Sequence, residues 1–160
     1  MTTSRKILSM QALARRVAAA HASHRRVVFT NGCYDLIHAG HVQLLERAKS
    51  LGDLLIIGIN SDRSVRGLKG SGRPVVAERD RARLLAALAA VDYVTIFDQP
   101  SPQQLIERLK PDVLVKGADW NAAQIVGKDV VQQRGGRVVR IPLRRGYSTT
   151  NLIKRIQALR

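Results

Sequence analysis

Apolar residues along the chain alternate between short continuous runs and longer stretches with helical spacing. The continuous runs are rich in branched residues and predict five β-strands, at residues 25–30, 53–60, 92–98, 112–117 and 137–143. The helical stretches predict helices over residues 4–22, 40–51, 78–90, 101–111, from 118 to about 134, and 148–159. The charged, glycine-rich segment 61–74 is predicted to hold no regular element.

This alternation predicts a Rossmann-like three-layer α/β/α sandwich with a five-stranded parallel sheet. No repeat or change of composition divides the chain. We therefore expect one domain over residues 1–160, with 1–22 as an accessory N-terminal helix. In such sheets, ligands bind beyond the carboxyl ends of the strands, where the strand order reverses. Polar clusters follow four of the strands, at residues 31–41, 60–74, 116–120 and 144–150, and are expected to converge on one rim.

Composition narrows the function classes only partly. Hydrophobic residues make up 45% of the 160 residues, as in an ordinary soluble domain, and no apolar run is long enough to span a membrane. The N-terminus does not resemble a secretory signal, so a cytoplasmic location is expected. The 27 basic and 12 acidic residues give a net charge of +15, which favours anionic partners or merely a solvated basic surface. Aromatic residues, at 4%, are too few for base stacking along a nucleic acid.

The strongest chemical signal follows the first strand, in TNGCYDLIHAGHVQLL. It is neither a P-loop nor a G-x-G-x-x-G dinucleotide motif. His38 and His41 lie three residues apart, with Gly40 between them, where a helix is predicted to begin. Both imidazoles would share the first turn with free backbone N–H groups, a place that favours an anion. Two incidental histidines and a zinc site are the alternatives, and no third zinc ligand with matching spacing is evident.

The segment FTNGCYDLIHAGHVQLL resembles the signature of the HxGH nucleotidyltransferase superfamily, which includes the cytidylyltransferases and class I aminoacyl-tRNA synthetases. The stretches NSDRSVRGLKGSGRP, VAERDRARLLAAL, VDYVTIF, KGADW and GYSTTNLIKRI are similar to those of bacterial heptose 1-phosphate adenylyltransferases. The resemblance extends from about Arg25 to Ile156. Because the sequence shows no kinase motifs, we expect the stand-alone form of this enzyme. It implies transfer of AMP from ATP to D-glycero-β-D-manno-heptose 1-phosphate, giving ADP-heptose and pyrophosphate for lipopolysaccharide core synthesis. The alternative is a cytidylyltransferase that uses CTP with glycerol 3-phosphate or a similar phosphomonoester.

The implied chemistry suits the residue types. A phosphomonoester is mostly dianionic near neutral pH, because its second pKa is about 6, so the nucleophile needs no general base. The protein must align two mutually repelling anions and neutralise the charge that develops in the transition state. Histidines, lysines, arginines and a helix N-terminus can supply both.

The resemblance also implies residue roles. His38 and His41 would bind the triphosphate and stabilise the five-coordinate phosphorus, and Lys69 would close over bound substrate as a third catalytic residue. Asp35 would hold Mg²⁺ or orient the nucleophile, or serve only as a turn or capping residue. Arg66 and Arg73 would join Asp35 at the sugar phosphate, unless their loop is simply solvated. The nucleotide-binding residues would be Asn31, Gly32, Tyr34, Gly40, Lys116, Gly117, Asp119, Ser148, Thr149 and Thr150.

Other positions stay open. Trp120 fits either the adenine or a core contact, Arg144 and Arg145 depart from the related turn of cytidylyltransferases, and Glu78 with Arg79 fits an intrahelical or a substrate role. Cys33 is interpreted as a small neutral residue, because this chemistry has no covalent thiol step. The expected partners are ATP and a sugar 1-phosphate, with Mg²⁺, in a homo-oligomer that neither binds nucleic acid nor inserts into a membrane.

Overall fold

The computed structural model describes residues 2–118, 121–142 and 146–159. The strands are β1 (Val27–Gly32), β2 (Leu54–Asn60), β3 (Tyr93–Phe97), β4 (Val113–Gly117) and β5 (Arg137–Ile141). The α-helices are α1 (Thr3–Lys6), α2 (Met10–Ala22), α3 (Ala39–Lys49), α4 (Asp62–Lys69), α5 (Glu78–Ala87), α6 (Gln103–Leu109), α7 (Lys128–Gln132) and α8 (Thr149–Gln157). A 3₁₀ turn, Ala122–Gln124, precedes α7. Of the described helices, none has the length and apolar character that a membrane crossing requires.

All five strands are parallel, in the order β3-β2-β1-β4-β5. This order confirms the predicted Rossmann-like α/β fold. The chain builds outward from β1 to β3 and then crosses back to β4, so the strand order reverses between β1 and β4. That crevice is where such a sheet is expected to bind a ligand.

Buried side chains alternate between the two faces of the sheet, as the period of a strand requires. In β2, which is buried along its whole length, Leu55 and Ile57 join one apolar cluster together with α3 and α5. Leu54 and Ile56 join the other cluster, with α2, α6 and α7. The molecule therefore has the three predicted layers, with a separate core on each side of the sheet.

The predicted helix over residues 4–22 is wrong in one respect, because it is interrupted at residues 7–9. Ile7 forms a parallel bridge with Val94 in β3, and the Leu8 N–H donates to the Val94 carbonyl at 2.9 Å. The Ser9 side chain then accepts from the Ala12 N–H and starts α2. Pairing with an exposed sheet edge outweighs the local helical pattern here.

The segment 61–74 was predicted to have no element, and this is also wrong, because it contains α4. The Ser61 side chain accepts from the Ser64 N–H, the Glu78 carboxylate accepts from the Asp62 N–H at 2.7 Å, and Val65 is fully buried. These caps and this burial outweigh the unfavourable glycine at position 67.

The helix before β5 and the end of β1 also differ from the prediction. The long helix expected up to residue 134 is reduced to the 3₁₀ turn and the five-residue α7. The first strand continues two residues further than expected, because Asn31 and Gly32 still pair with Gly58 and Ile59 of β2. Those two residues therefore end the central strand instead of forming the turn after it.

Candidate active site

A cavity of about 520 Å³ lies at the carboxyl ends of β1, β2 and β4, beside the N-termini of α3 and α8. It brings together most of the site residues that the sequence predicted: Asn31, Gly32, Tyr34, Asp35, His38, Gly40, His41, Lys69, Arg73, Lys116, Ser148, Thr149 and Thr150. Gly117, which pairs with Ile141 of β5, is not among the lining residues. Asp119, Trp120, Arg144 and Arg145 lie outside the described residues.

His38 and His41 form a stacked pair at the start of α3. Their ring centroids are 3.8 Å apart with an interplanar angle of 17°. His38 is the N-cap residue of the helix, and its Nδ1 accepts from the His41 backbone N–H at 3.3 Å. A neutral His38 consequently carries its proton on Nε2.

Gly40 makes this packing possible. A Cβ atom at position 40 would lie 3.1 Å from Cε1 and from Nδ1 of His38, and 3.0 Å from the Tyr147 Cβ. The Tyr147 ring centroid is 6.0 Å from that of His38. The glycine between the two histidines is therefore required by close approach on two sides.

Burial makes both histidines poor bases. It lowers the pKa of His41 to about 4, with a further contribution from His38, and it also lowers the pKa of His38. Both rings are neutral at pH 7 and each keeps one N–H. His41 Nδ1 is buried and has no hydrogen-bond partner in the described part of the chain. A buried nitrogen without a partner is costly, so the burial of this ring works against the stability of the fold.

Lys116 and Asn31 join the two sides of the crevice. Lys116, near the end of β4, is buried, and its ammonium group donates to the Asn31 side-chain oxygen on β1. Burial lowers the pKa of Lys116 to about 8. Because that value is still above neutral, the side chain remains mostly cationic at pH 7.

Asp35 holds the loop that follows α4. Its fully buried carboxylate forms an ion pair with Arg73 and accepts the N–H groups of Val75 at 2.8 Å and Val76 at 2.9 Å. Both carboxylate oxygens are thus engaged. Within the described residues, no group of three or more His, Cys, Asp or Glu side chains is arranged to hold a metal ion. Asp35 in this arrangement acts as a structural anchor, and its predicted role as a magnesium ligand stays a prediction.

Lys69 and Arg66 occupy different places, although the sequence put both at the acceptor phosphate. Lys69, the last residue of α4, lines the cavity within an exposed stretch, residues 66–72. Arg66 lines a separate depression of about 730 Å³ together with Glu78 and Asp98. The structure therefore does not bring Arg66 to the cavity.

The N-terminus of α8 forms another wall. The Ser148 side chain caps the helix by accepting from the Asn151 N–H at 3.0 Å, and the Thr149 hydroxyl donates to the Leu36 carbonyl at 3.3 Å. Ser148 therefore caps the helix, and Ser148, Thr149 and Thr150 also line the cavity. The free amides of this first turn favour an anion.

The sequence analysis missed Arg81 and the role of Glu78. Arg81 lies on α5 with no exposed side-chain surface and donates to three carbonyls and one carboxylate around the cavity. The sequence contained a signal for the burial of Arg81, because it lies four residues before the apolar Leu85 and therefore on the same face of the helix. Glu78 binds the first amide of α4, and Arg79 is exposed on the same turn.

Tyr34 and Cys33 contribute an apolar floor. The Tyr34 backbone is left-handed, with φ of 48°, and a Cβ at Gly32 would lie 3.1 Å from its ring. Burial raises the pKa of Tyr34 to about 12 and is also the main cause of the raised pKa of Cys33. A neutral thiol fits the small, unreactive residue that the sequence predicted.

Two curated proteins are similar in sequence to almost the whole of this chain. The bifunctional protein HldE of Magnetococcus marinus is 52% identical over 155 residues, which cover 97% of this chain and 32% of that protein. HldE of Geobacter metallireducens is 53% identical, over 94% of this chain and 31% of its own length. This chain thus spans about a third of the length of these curated relatives.

Two solved structures have a similar fold. The lipopolysaccharide core biosynthesis protein of Thermoplasma volcanium has a TM-score of 0.65 and 26% identity, covering 75% of this chain and 98% of that one. Pantoate–β-alanine ligase of Francisella tularensis, at 16% identity and a TM-score of 0.64 over 87% of this chain and 67% of its own, supports the fold alone. The profile of the cytidylyltransferase-like family matches residues 29–155. The resemblance drawn from the histidine motif is therefore confirmed, and the chain belongs to the cytidylyltransferase-like family of nucleotidyltransferases.

Proposed function

We propose that this chain transfers AMP from ATP to D-glycero-β-D-manno-heptose 1-phosphate, releasing pyrophosphate and forming ADP-heptose. The observation that carries the proposal is the stacked, neutral pair of His38 and His41 at a helix N-terminus, facing a cavity that Lys69 and Lys116 also line. Such a site is built to hold two phosphorylated substrates.

In the proposed step, an oxygen of the sugar phosphate attacks the α-phosphorus of ATP. The bond from that phosphorus to the oxygen leading to the β-phosphate breaks, and pyrophosphate leaves with the bonding electrons. The acceptor is already a dianion, so no side chain has to remove a proton. His38 and His41, each with one N–H, donate to oxygens on the reacting phosphorus, where negative charge increases in the transition state.

The charges lining the cavity support this assignment. Asp35 is the one acidic residue among its described lining, and Arg73 neutralises it. Lys69 and Lys116 both line the same cavity and add positive charge to it. The first-turn amides of α3 and α8 add partial positive charge beside them. This field lowers the repulsion between the two substrates as they approach.

We infer that Mg²⁺ enters as its complex with ATP. Magnesium commonly keeps several waters and binds substrate phosphates with only one or two carboxylates. When bound, it would neutralise phosphate charge. Because both oxygens of Asp35 are engaged, no step is assigned to a protein-bound ion.

The choice of acceptor is supported by the five downstream motifs, by about 52% identity to bifunctional HldE proteins, and by the likeness to a lipopolysaccharide core biosynthesis protein. The family name favours the second candidate, a CTP-dependent reaction with glycerol 3-phosphate. Pyrophosphate release with Mg²⁺ should be measured for ATP and CTP, each with heptose 1-phosphate and with glycerol 3-phosphate. A His41→Ala protein serves as the matched blank.

Release with ATP and heptose 1-phosphate alone supports the proposal. Release with another pair keeps the site chemistry and replaces the substrates. Release at the wild-type rate in the His41→Ala protein would contradict the proposed role of His41. No release with any pair, while ATP still binds, contradicts the proposed activity.

We further infer a cytoplasmic location, where ATP is available, and a homo-oligomer. The apolar side chains of Ile156 and Leu159, exposed by 59% and 86%, support self-association through the end of α8. Light scattering of the purified chain tests this, and a monomeric mass at micromolar concentration would contradict it.

A further inference from the structure

Helix α5 carries a buried arginine that the proposed reaction does not touch. Arg81 has no exposed side-chain surface and lies on the same buried face as Ala82, Leu85 and Ala86. Arg83, two residues further along, is exposed. Burying a guanidinium without partners would be strongly destabilising, so its partners show what the residue holds together.

Arg81 makes four hydrogen bonds. Its Nε donates to the Val76 carbonyl at 2.9 Å, and Nη1 donates to the Cys33 carbonyl. Nη2 donates to the Asn60 carbonyl at 2.9 Å and to the Asp62 carboxylate at 2.8 Å. A planar guanidinium, with five N–H donors in a fixed fork, can reach acceptors in these different directions, whereas a lysine ammonium cannot.

Two of the four acceptor residues, Cys33 and Asn60, line the cavity, and the other two lie in the segment that carries Lys69. Cys33 follows β1 directly, and Asn60 is the last residue of β2. Asp62 begins α4, and Val76 lies at the end of the loop that Asp35 binds. Arg81 thus connects the ends of two strands to both ends of residues 62–76, which we call the Lys69 arm.

The middle of the Lys69 arm has few contacts of its own. Residues 66–72 are all exposed, and a Cβ added at Gly67, Gly70 or Gly72 would meet nothing within 4 Å. The position of Lys69 over the cavity must therefore be set where the arm is anchored. The Glu78 carboxylate binds only its beginning and Asp35 only its end, whereas Arg81 binds both.

We propose that Arg81 is a positioning residue that sets the Lys69 arm over the cavity and thereby controls use of the acceptor phosphate. The proposal rests on the proposed function for the role of Lys69. The anchoring itself is a property of the folded chain and can be measured without turnover.

The test compares Arg81→Lys with the matched control Arg83→Lys on the exposed side of the same helix. In Arg81→Lys, kcat/KM for heptose 1-phosphate should fall about 100-fold, the loss expected when a catalytic group is displaced by about 1 Å. The Kd for ATP should change by less than about threefold, because the histidines proposed to bind ATP lie at the start of α3 and not on the Lys69 arm. Arg83→Lys should match the wild type in both.

A double-mutant cycle with Lys69→Ala shows whether Arg81 acts through Lys69. If it does, adding Arg81→Lys to Lys69→Ala should cost less than about threefold, because the group it positions is already absent. Fully additive losses would overturn the proposal.

Cys33 gives a readout that does not depend on activity. It is the one cysteine in the sequence, and Arg81 binds its carbonyl. Under native conditions, its alkylation by iodoacetamide should become at least about tenfold faster in Arg81→Lys, since local opening is easier there. Limited proteolysis within residues 62–76 should become faster in parallel, with no change in Arg83→Lys.

Unchanged kcat/KM together with unchanged labelling would overturn the proposal. So would an equal loss of ATP and acceptor binding with a large fall in Tm, since that marks a general loss of structure. If the wild type itself shows no transfer with any substrate pair, the proposed function fails. Labelling and proteolysis then decide the anchoring alone.

If Arg81→Lys does not fold, Asp62→Asn removes the charge from one anchor and leaves Arg81 buried. It should lower kcat/KM for the acceptor about tenfold and accelerate Cys33 labelling in the same direction. Wild-type values for both would overturn the proposal.

Discussion

Replacing Gly40 with alanine should separate the chemistry of this site from the stability of the fold. The new methyl group would lie 3.1 Å from the His38 ring and 3.0 Å from the Tyr147 Cβ. Ordinary contacts begin at about 3.4–4 Å, so the His38 ring would have to move by a few tenths of an ångström. The ring would also move relative to His41, on which it stacks at 3.8 Å.

The size of both effects follows from this geometry. A displacement of 1 Å at a catalytic group costs roughly 100-fold in rate, so a shift of a few tenths of an ångström should lower kcat about threefold to tenfold. Alanine gains about 0.5–1 kcal/mol over glycine within a helix, while overpacking costs about 1–3 kcal/mol. We therefore expect a net loss of about 1 kcal/mol in the free energy of unfolding, or about 2–4 °C in Tm.

The assay is pyrophosphate release at saturating substrates, beside a thermal melt of the same preparation. Ala39→Ser, at the neighbouring exposed position, is the control and should keep kcat within about twofold. A Gly40→Ala protein with wild-type kcat would refute the reasoning, because the glycine would then not be needed to place His38.

Other predictions concern the histidines and the anchored loop. His38→Ala or His41→Ala should lower kcat by about 100-fold or more in the same assay, with a fold intact by circular dichroism, because both rings are proposed to act on the transition state. The free energy of unfolding in urea should rise by up to about 3 kcal/mol from pH 4 to pH 6.5, because unfolded His41 binds a proton that the folded ring, with its pKa near 4, does not. The slope should become clearly smaller in His41→Asn, with the contribution of His38 remaining, and an unchanged slope would assign it to another group. Asp35→Asn should lower the free energy of unfolding by about 3 kcal/mol in urea melts, because it removes the fully buried carboxylate that pairs with the partly buried Arg73.

The sheet and its rim could be predicted because their signals are local and repeated. The continuous run in β2 is buried along its whole length, and parallel strands bring the residues after β1 and β4 to one edge. Helix α4 was not predicted, because the glycines of segment 61–74 favour a loop in the sequence pattern. The Ser61 cap and the burial of Val65, which stabilise the helix, are visible only in the structure. That error also left Arg66 and Lys69 on one undivided loop, although the structure separates them.

The burial of charged residues was the other feature that could not be predicted from the sequence. Arg81 occupies an apolar position in its helix, yet a charged residue in a pattern is normally assigned to the solvent side. The partners of Asp35 lie 38 to 41 residues further along the chain, so no spacing rule connects them. A sequence shows the charge but not the distant group that permits its burial.

The distribution of carboxylates explains how a chain with an excess of 15 positive charges supports a defined anion site. Asp53, Asp92 and Asp112 each precede a strand, and each binds a backbone N–H at the start of a neighbouring strand at 2.7 Å. These acids fix the register at the amino edge of the sheet, opposite the cavity. At the carboxyl edge, Asp35 is the one acidic residue among the described lining of the cavity, and it is already paired with Arg73. The useful positive field thus arises less from the number of basic residues than from the placement of the few acidic ones.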